Sequence, residues 1–142
     1  MIALLLLAAC ESEPIQPQIA SVRTTPPATP APAAPAPQNI DQAAFKNLVL
    51  SGKPLQIVDV RTAEEYAAGH LAGSRNLPVD GIEARLGELE PLRAAPVYLV
   101  CETSNRAGYV GKLLAAQGFE AVVVLGGMHA WRAAELPVVT GP

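Results

Sequence analysis

Three short runs of mainly apolar residues limit what this chain can fold into more than any other feature. They cover residues 55–60, 97–100 and 121–125, and each is rich in valine, isoleucine or leucine. Strands of a parallel sheet have this composition, because helices cover them on both faces. Helical patterns separate the runs, so the sequence predicts an α/β fold with a parallel sheet between two layers of helices.

Helical patterns lie around these runs. Thr62 and Glu65 have the spacing of a capping box, which predicts the start of a short helix that ends near Gly69. Further helices are predicted over residues 82–89 and 107–117, and a short extended piece over 76–79. An earlier helix is predicted from the spacing of four apolar residues, and residues 51–54 should end it. The four residues are Ile40, Phe45, Leu48 and Val49.

Composition limits the size and the partners of the folded part. A chain of 142 residues allows one domain. Ten Lys and Arg against thirteen Asp and Glu give a net charge of −3, and the basic residues are scattered. Together with the low aromatic content, this scatter argues against nucleic-acid binding. The two cysteines, Cys10 and Cys101, lie in such different contexts that no disulfide between them is expected.

Cys101 is the residue that points to chemistry. It directly follows the apolar run 97–100 and opens a polar stretch, 102–106, that leads into the predicted helix 107–117. In an open α/β sheet, the ligand crevice lies beyond the carboxyl ends of the strands, where Cys101 falls. Backbone N–H groups of such a loop and of a helix N-terminus favour a thiolate. The alternative is a small buried hydrophobic residue, and the polar residues at every position of 102–106 favour the reactive interpretation.

The first nine residues have the pattern of an export signal. Residues 2–9 are an uninterrupted apolar run, too short to span a bilayer as a helix but as long as the hydrophobic region of a signal peptide. The run ends in LAAC at residues 7–10, which resembles the lipobox of bacterial lipoproteins. The resemblance implies cleavage before Cys10, lipidation of its sulfur and acylation of the new N-terminus. One departure is that residues 1–3 contain neither Lys nor Arg. The alternative is an apolar strand that ends in a cysteine by chance.

Residues 10–38 are predicted to be a disordered, lipid-anchored linker rich in proline and alanine. Such a composition cannot bury enough apolar surface to fold. We expect it to hold a folded domain, residues 39–142, off a membrane to which lipid on Cys10 is the only anchor. The expected location is the periplasmic side of a bacterial membrane. In a gram-negative cell, Glu11 rather than Asp after the lipid-bearing cysteine resembles outer-membrane sorting, so the outer membrane is favoured. Proline occupies positions 14, 17, 26, 27, 30, 32, 35 and 37.

Several short motifs of the folded part occur in one order. They are IVDVR at 57–61, EY at 65–66, GHLAGS at 69–74, NLP at 76–78, CETSNR at 101–106, GG at 126–127 and Trp131. In this order they resemble a single-domain rhodanese, from about residue 38 to the C-terminal end. The resemblance implies an α/β fold around a parallel five-stranded sheet with helices on both faces.

The resemblance also implies a sulfurtransferase. Such an enzyme moves a sulfane sulfur from a donor such as thiosulfate or a polysulfide to a thiophilic acceptor, a small molecule or a protein thiol. The catalytic group would be Cys101, which forms a persulfide, and no metal or organic cofactor is required. The backbone amides of the loop would hold the anionic sulfur as the substrate-binding residues. These residues are Glu102, Thr103, Ser104, Asn105 and Arg106.

Loop length supports this interpretation. Cys101 to Arg106 has the form C-x4-R, whereas related phosphatases and arsenate reductases use a longer C-x5-R loop that fits a tetrahedral oxyanion. The alternative function is a non-catalytic rhodanese-like module, tethered to the membrane, that binds a partner or senses sulfide species.

Two loop residues depart from the family's pattern. Ser104 stands where the family usually has glycine, so we expect the loop to hold a non-glycine residue in an unfavourable backbone conformation. Glu102 puts a carboxylate beside the thiolate, where many members carry a basic or neutral group, and it is expected to repel an anionic donor such as thiosulfate. Both departures keep the non-catalytic alternative open.

The other recognisable residues are predicted to be mainly structural. Asp59 and Arg61 are expected to anchor the loop after their strand, with Glu64 or Glu65 as a further partner. Arg106 has two possible roles, orienting the loop or attracting an anionic donor. For His70 and His129 the alternatives are proton donation and packing, and packing is predicted; their spacing is not that of metal ligands. Trp131 is predicted to lie in the core.

Overall fold

The centre of the fold is a parallel sheet. A computed structural model describes residues 35–142, and the predicted signal peptide, Cys10 and most of the predicted linker lie outside these residues. Within them a five-stranded sheet has the spatial order β1-β5-β4-β2-β3, and each pairing is parallel. The predicted parallel sheet is therefore confirmed. Its strands are β1 (Gln38–Ile40), β2 (Gln56–Asp59), β3 (Arg75–Asn76), β4 (Val97–Val100) and β5 (Ala121–Val124).

Helices cover both faces of the sheet. The predicted capping box starts one of them: Thr62 accepts a hydrogen bond from the backbone N–H of Glu65, whose side chain accepts one from the backbone N–H of Thr62. Asp41 caps the first helix by accepting from the backbone N–H of Ala44 at 2.8 Å. The helices are α1 (Gln42–Leu50), α2 (Ala63–Ala68), α3 (Ile82–Arg85), α4 (Asn105–Ala116) and α5 (Gly127–Ala133), and a 3-10 helix (Leu86–Leu92) continues α3.

Alternating strand residues build two apolar layers. On one face, strand residues such as Val58 and Leu99 pack with α4, α3 and the 3-10 helix. On the other face, Ile57 and Val124 pack with α1 and with Trp131 of α5. Full burial of one such aliphatic side chain stabilises the fold by about 1.5–3 kcal/mol. The central strands are thus covered on both faces, as their mainly apolar composition predicted.

Several predicted boundaries were wrong. Ile40 lies in β1 rather than in the first helix. The predicted helix 82–89 is a single α-turn that changes into a 3-10 helix containing Pro91. The predicted helix 107–117 begins two residues earlier, at Asn105. This last difference brings Asn105 and Arg106 from the loop into the first turn of α4.

The topology places Cys101 in the middle of one edge of the sheet. β4 lies between β5 and β2, and Cys101 follows its last residue. Because the strands are parallel, their carboxyl ends share this edge, and the loops after β2 and β5 flank the cysteine. In residues 35–142, no helix combines the length and the apolar character needed to cross a bilayer.

Candidate active site

Cys101 itself is buried. Only 1% of its surface is exposed, and it packs in the same apolar layer as Leu99 and Ala107. The alternative interpretation of Cys101 is therefore right about its burial. The residues after it are more open, since Thr103 and Asn105 are exposed while Glu102 is half-buried. Burial alone does not distinguish a structural from a reactive cysteine, so the distinction depends on the groups around the loop.

The N-terminus of α5 holds the loop after Cys101. The backbone N–H of Met128 donates to the carbonyl oxygen of Cys101 and that of His129 to the carbonyl of Glu102, both at 2.8 Å. Gly127 permits this approach. It has a φ of +51°, and a Cβ there would lie 2.8 Å from the carbonyl oxygens of both Glu102 and Thr103. Only glycine, without a Cβ, fits between α5 and the loop in this conformation.

These contacts fix where the loop amides point. A trans peptide group carries its C=O and N–H on opposite sides, and the described residues contain no cis peptide bond. Since the carbonyls of Cys101 and Glu102 face α5, the N–H groups of Glu102 and Thr103 face away from it. Among residues 35–142, no backbone acceptor pairs with an N–H group of residues 102–107, and the first that donates is Gly108, to the carbonyl of Ser104. The loop thus presents consecutive free donors at the start of α4, an arrangement that attracts anions.

Arg106 is paired with Glu65. Its Nη1 and Nη2 donate to the two carboxylate oxygens of Glu65 at 2.7 and 2.8 Å. The hydrogen bonds from Arg106 lower the pKa of Glu65 from 4.5 to about 2, and the same pairing raises the pKa of Arg106. Because Glu65 also caps α2, the pair ties α2 to the first turn of α4. The geometry therefore favours orientation of the loop over attraction of a donor as the role of Arg106.

Asp59 and Arg61 form a buried ion pair next to the loop. The exposed fractions of their side chains are 1% and 2%. Nε and Nη2 of Arg61 donate to the carboxylate of Asp59. Nη2 also donates to the carbonyl oxygen of Gly69 at 2.8 Å. The backbone N–H of Arg61 donates to Oδ1 of Asp59. The predicted anchoring role is confirmed. The predicted further partner was wrong, since Glu65 pairs with Arg106 and the carbonyl of Gly69 takes its place.

Glu102 is paired with two arginines. One carboxylate oxygen accepts a hydrogen bond from Nη2 of Arg132, and the other lies 3.7 Å from Nη1 of Arg61. The negative charge beside Cys101 is therefore opposed by two guanidinium groups, and repulsion of an anionic donor by Glu102 stays a prediction. Ser104 has a φ of −174° and a ψ of −9°, so it does not occupy the left-handed region that favours glycine, and Glu135 is the one non-glycine residue of 35–142 with a positive φ.

A cavity of about 260 Å³ opens beside the loop. Its charged lining comes from Arg61, Glu65, Glu102 and Arg132, and its apolar wall from Ala68, Gly69 and Val138. Residues from the segment after β2, from α2, the loop, α5 and the C-terminal segment thus meet in this cavity.

The comparison with protein families decides the identity of this arrangement. A family model described as Rhodanese-like domain matches residues 41–134. The chain belongs to the rhodanese-like family. This rhodanese-like domain has the family's α/β architecture, since a rhodanese-like domain protein from Staphylococcus aureus superposes with a TM-score of 0.61 at 40% identity, over 66% of this chain and 90% of that one.

Curated relatives carry names from sulfur chemistry. Over 100 residues the domain is 30% identical to the putative sulfurtransferase YtwF of Bacillus subtilis, a match that covers 70% of this chain and 95% of the relative. It is 35% identical over 89 residues to the putative sulfur carrier protein YrkF of the same organism, covering 62% of this chain and 47% of the relative. The chain thus spans about half the length of YrkF. Together these similarities support a sulfurtransferase-type role for the rhodanese-like domain.

The structure brings residues 101–106 of this rhodanese-like domain to one edge of the sheet, and their catalytic and substrate-binding roles stay predictions. Trp131 is a core residue, as predicted, with 1% of its surface exposed. His70 is buried and its Nδ1 lies 2.9 Å from the carbonyl oxygen of Tyr66, as expected of a packing residue. His129 is exposed, so its predicted packing role was wrong; its backbone N–H holds the loop instead. In residues 35–142, no group of three or more His, Cys, Asp or Glu side chains is placed to hold a metal ion.

Sequence reasoning missed two features of the site. Arg132 lies outside every motif that points to chemistry, and its pairing with Glu102 joins positions 30 residues apart. The role of Gly127 as the contact between α5 and the loop was also missed, although the doubled glycine at 126–127 was a visible signal. A glycine pair directly after a strand and before a helix marks a tight backbone approach.

Proposed function

We propose that this rhodanese-like domain is a sulfurtransferase that moves a sulfane sulfur from a donor, such as thiosulfate or a polysulfide, to a thiophilic acceptor through a persulfide on Cys101. The observation that carries the proposal is the row of free N–H groups that follows Cys101. Those amides are fixed by α5 before any ligand binds, and fixed donors stabilise an anion without reorganisation. Small thiols or a protein thiol are the proposed acceptors.

The proposed reaction has two steps, and both balance. With thiosulfate, the Cys101 thiolate attacks the outer sulfur, the S–S bond of the donor breaks, and sulfite leaves with the electron pair. The product is the anion Cys101–S–S⁻. An acceptor thiolate then attacks the terminal sulfur, giving the acceptor's persulfide and regenerating the Cys101 thiolate. In both steps the anionic sulfur stays within reach of the N–H groups of the loop.

The test is transfer of one sulfur atom to Cys101. Full-length protein treated with thiosulfate or polysulfide should gain the mass of one sulfur, and peptide mapping should locate it on Cys101. Cys101→Ala should lose this gain and all transfer to cyanide or a thiol, while its circular dichroism stays that of the wild type. Unchanged transfer by the folded Cys101→Ala protein would remove Cys101 from the mechanism.

A second candidate function is favoured by the burial of Cys101. A thiol with 1% of its surface exposed suits a non-catalytic module that binds a partner or senses sulfide species. The same experiment separates the two functions. A module of this kind gains no sulfur from thiosulfate, or gains it and then fails to pass it to any thiol acceptor.

We also propose that the protein is exported and held by lipid on Cys10 at the periplasmic side of a bacterial membrane, with the outer membrane favoured. The support is the sequence alone, since Cys10 lies outside the described residues. Cys10→Ala should move the protein from the membrane fraction to the soluble fraction. A wild-type protein that keeps Met1 and fractionates with the cytoplasm would overturn this proposal.

A further inference from the structure

Arg61 has one nitrogen without a hydrogen-bond partner. Its Nε and Nη2 are bonded to Asp59 and to the carbonyl of Gly69. Within residues 35–142, Nη1 donates to no protein acceptor, and its nearest anionic atom is Oε2 of Glu102 at 3.7 Å. Arg61 is 2% exposed yet lines the cavity. A buried guanidinium therefore turns its free donors toward a space that a ligand can enter.

Arg132 approaches the same space from α5. Its side chain is 43% exposed, and its Nη2 bonds Oε1 of Glu102. The carboxylate of Glu102 thus lies between two guanidinium groups, one buried and fixed, the other half-exposed and free to turn. Guanidinium groups bind carboxylate-sized and sulfonate-sized oxyanions through paired N–H donors. Glu102 occupies the position where the oxyanion of a ligand would lie.

The rest of the cavity lining is Glu65, whose two carboxylate oxygens are bonded to Arg106, and an apolar wall. Ala68, Gly69 and Val138 form that wall. A small organic anion would meet both surfaces, with its oxyanion on the arginines and its carbon chain on this wall. Since Glu102 lines the cavity and directly follows Cys101, a ligand held here lies beside the loop that Cys101 opens.

We propose that Arg61 and Arg132 form an oxyanion-binding subsite, which takes the carboxylate or sulfonate group of a sulfur donor or acceptor and for which the carboxylate of Glu102 competes. The proposal deepens the proposed function and rests on it for its role in sulfur transfer. The binding of an oxyanion by the two arginines can be tested without any transfer.

The first experiment measures binding alone. Methanesulfonate is titrated into full-length Cys101→Ala protein, and binding is followed by chemical-shift changes of the loop and α5 amides. Adding Glu102→Gln should tighten binding about tenfold, because a charged hydrogen bond to Arg132 no longer has to be broken. Adding Arg132→Gln should weaken binding by a similar factor, and Arg132→Gln together with Glu102→Gln should not restore it.

Glu88 offers a matched control. Its carboxylate also lies between two arginines, at 2.6 Å from Arg85 and 3.0 Å from Arg75, and Glu88→Gln changes the net charge equally. This variant should bind methanesulfonate as Cys101→Ala alone does. Equal tightening by Glu88→Gln and Glu102→Gln would show a general charge effect and overturn the subsite, as would unchanged binding in Arg132→Gln.

The second experiment identifies the source of the oxyanion, with Cys101 present. Persulfide formation from thiosulfate measures the donor step. Transfer from the persulfide to 3-mercaptopropionate or to uncharged 2-mercaptoethanol measures the acceptor step. If donors use the subsite, Arg132→Gln raises about tenfold the thiosulfate concentration that half-saturates persulfide formation. If acceptors use it, Arg132→Gln slows transfer to 3-mercaptopropionate and leaves transfer to 2-mercaptoethanol unchanged. Wild-type protein that binds methanesulfonate but transfers no sulfur would contradict the proposed function and leave the subsite standing.

Discussion

Gly127→Ala tests whether the contact between α5 and the Cys101 loop shapes the site. The added Cβ would meet the carbonyl oxygens of Cys101, Glu102 and Thr103, two of them at 2.8 Å. Those oxygens cannot easily move away, because the N–H groups at the start of α5 bond the first two of them at 2.8 Å. The clash is therefore with backbone that is fixed on both sides, and either the loop or α5 must shift.

Two costs add in this variant. Overpacking a tight contact typically costs about 1–3 kcal/mol, and a side chain at the φ of +51° found at Gly127 adds about 1–2 kcal/mol. The free energy of unfolding should fall by about 2–5 kcal/mol. For a folded part near 100 residues, such a loss lowers the melting temperature by about 10 °C or more. Because the loop amides lose their alignment, persulfide formation should slow at least about tenfold.

Two other glycines separate these costs. Gly52 has a φ of +70° and nothing within 4 Å of an added Cβ, so Gly52→Ala measures the backbone cost alone. Gly108, inside α4, has the same open space without a positive φ, so Gly108→Ala should stabilise by up to about 1 kcal/mol. Thermal melts by circular dichroism and mass spectrometry of the persulfide check all three variants. If Gly127→Ala has the same melting temperature as Gly52→Ala and forms persulfide at the wild-type rate, the loop does not depend on its contact with α5.

Two further predictions concern other parts of the fold. Glu65→Gln should lower the free energy of unfolding near neutral pH. Because pairing with Arg106 holds the pKa of Glu65 at about 2 rather than 4.5, the stability that this carboxylate contributes is present above 4.5 and is lost as the pH falls toward 2. Urea unfolding should therefore show the difference between wild type and variant shrinking below about pH 5, and a constant difference would contradict the pairing. Trp131→Ala should cost about 3–5 kcal/mol, as for other buried aromatic residues, while Trp131→Phe should cost less; equal melting temperatures for wild type and Trp131→Ala would show that Trp131 is not core.

The sequence predicted the parts of the fold that depend on local composition. β4 and β5 are apolar at nearly every position, and β2 carries Ile57 and Val58 at its centre, so all three strands stand out from their surroundings. β1 is three residues long and carries one apolar residue, Ile40, whose spacing also fits the helix that follows. Its pairing with β5 depends on residues more than 80 positions away, which no local pattern reveals.

Within the site, too, features set by the local sequence were predictable and features set by long-range contacts were not. The position of Cys101, directly after a strand and before a helix, was predictable, because a polar stretch after an apolar run is visible locally. The capping role of Glu65 was predictable as well. The second partner of Glu65 was not, since Arg106 lies 41 positions later. The pairing of Glu102 was missed for the same reason. A carboxylate next to a cysteine looks unopposed in a sequence, whereas α5 brings Arg132 beside it only in the folded chain.

These pairings bear on how the loop can stabilise an anionic sulfur. Arg106 is the nearest cation in the sequence, but both its terminal nitrogens are bonded to Glu65. Because the arginines around the loop are paired with carboxylates, the backbone N–H groups of the loop and the N-terminus of α4 are left to stabilise an anionic sulfur. Changes of loop geometry should therefore affect the chemistry of Cys101, and changes of the ion pairs should affect which donors and acceptors bind. The pairs are Asp59 with Arg61, Glu65 with Arg106, and Glu102 with Arg132.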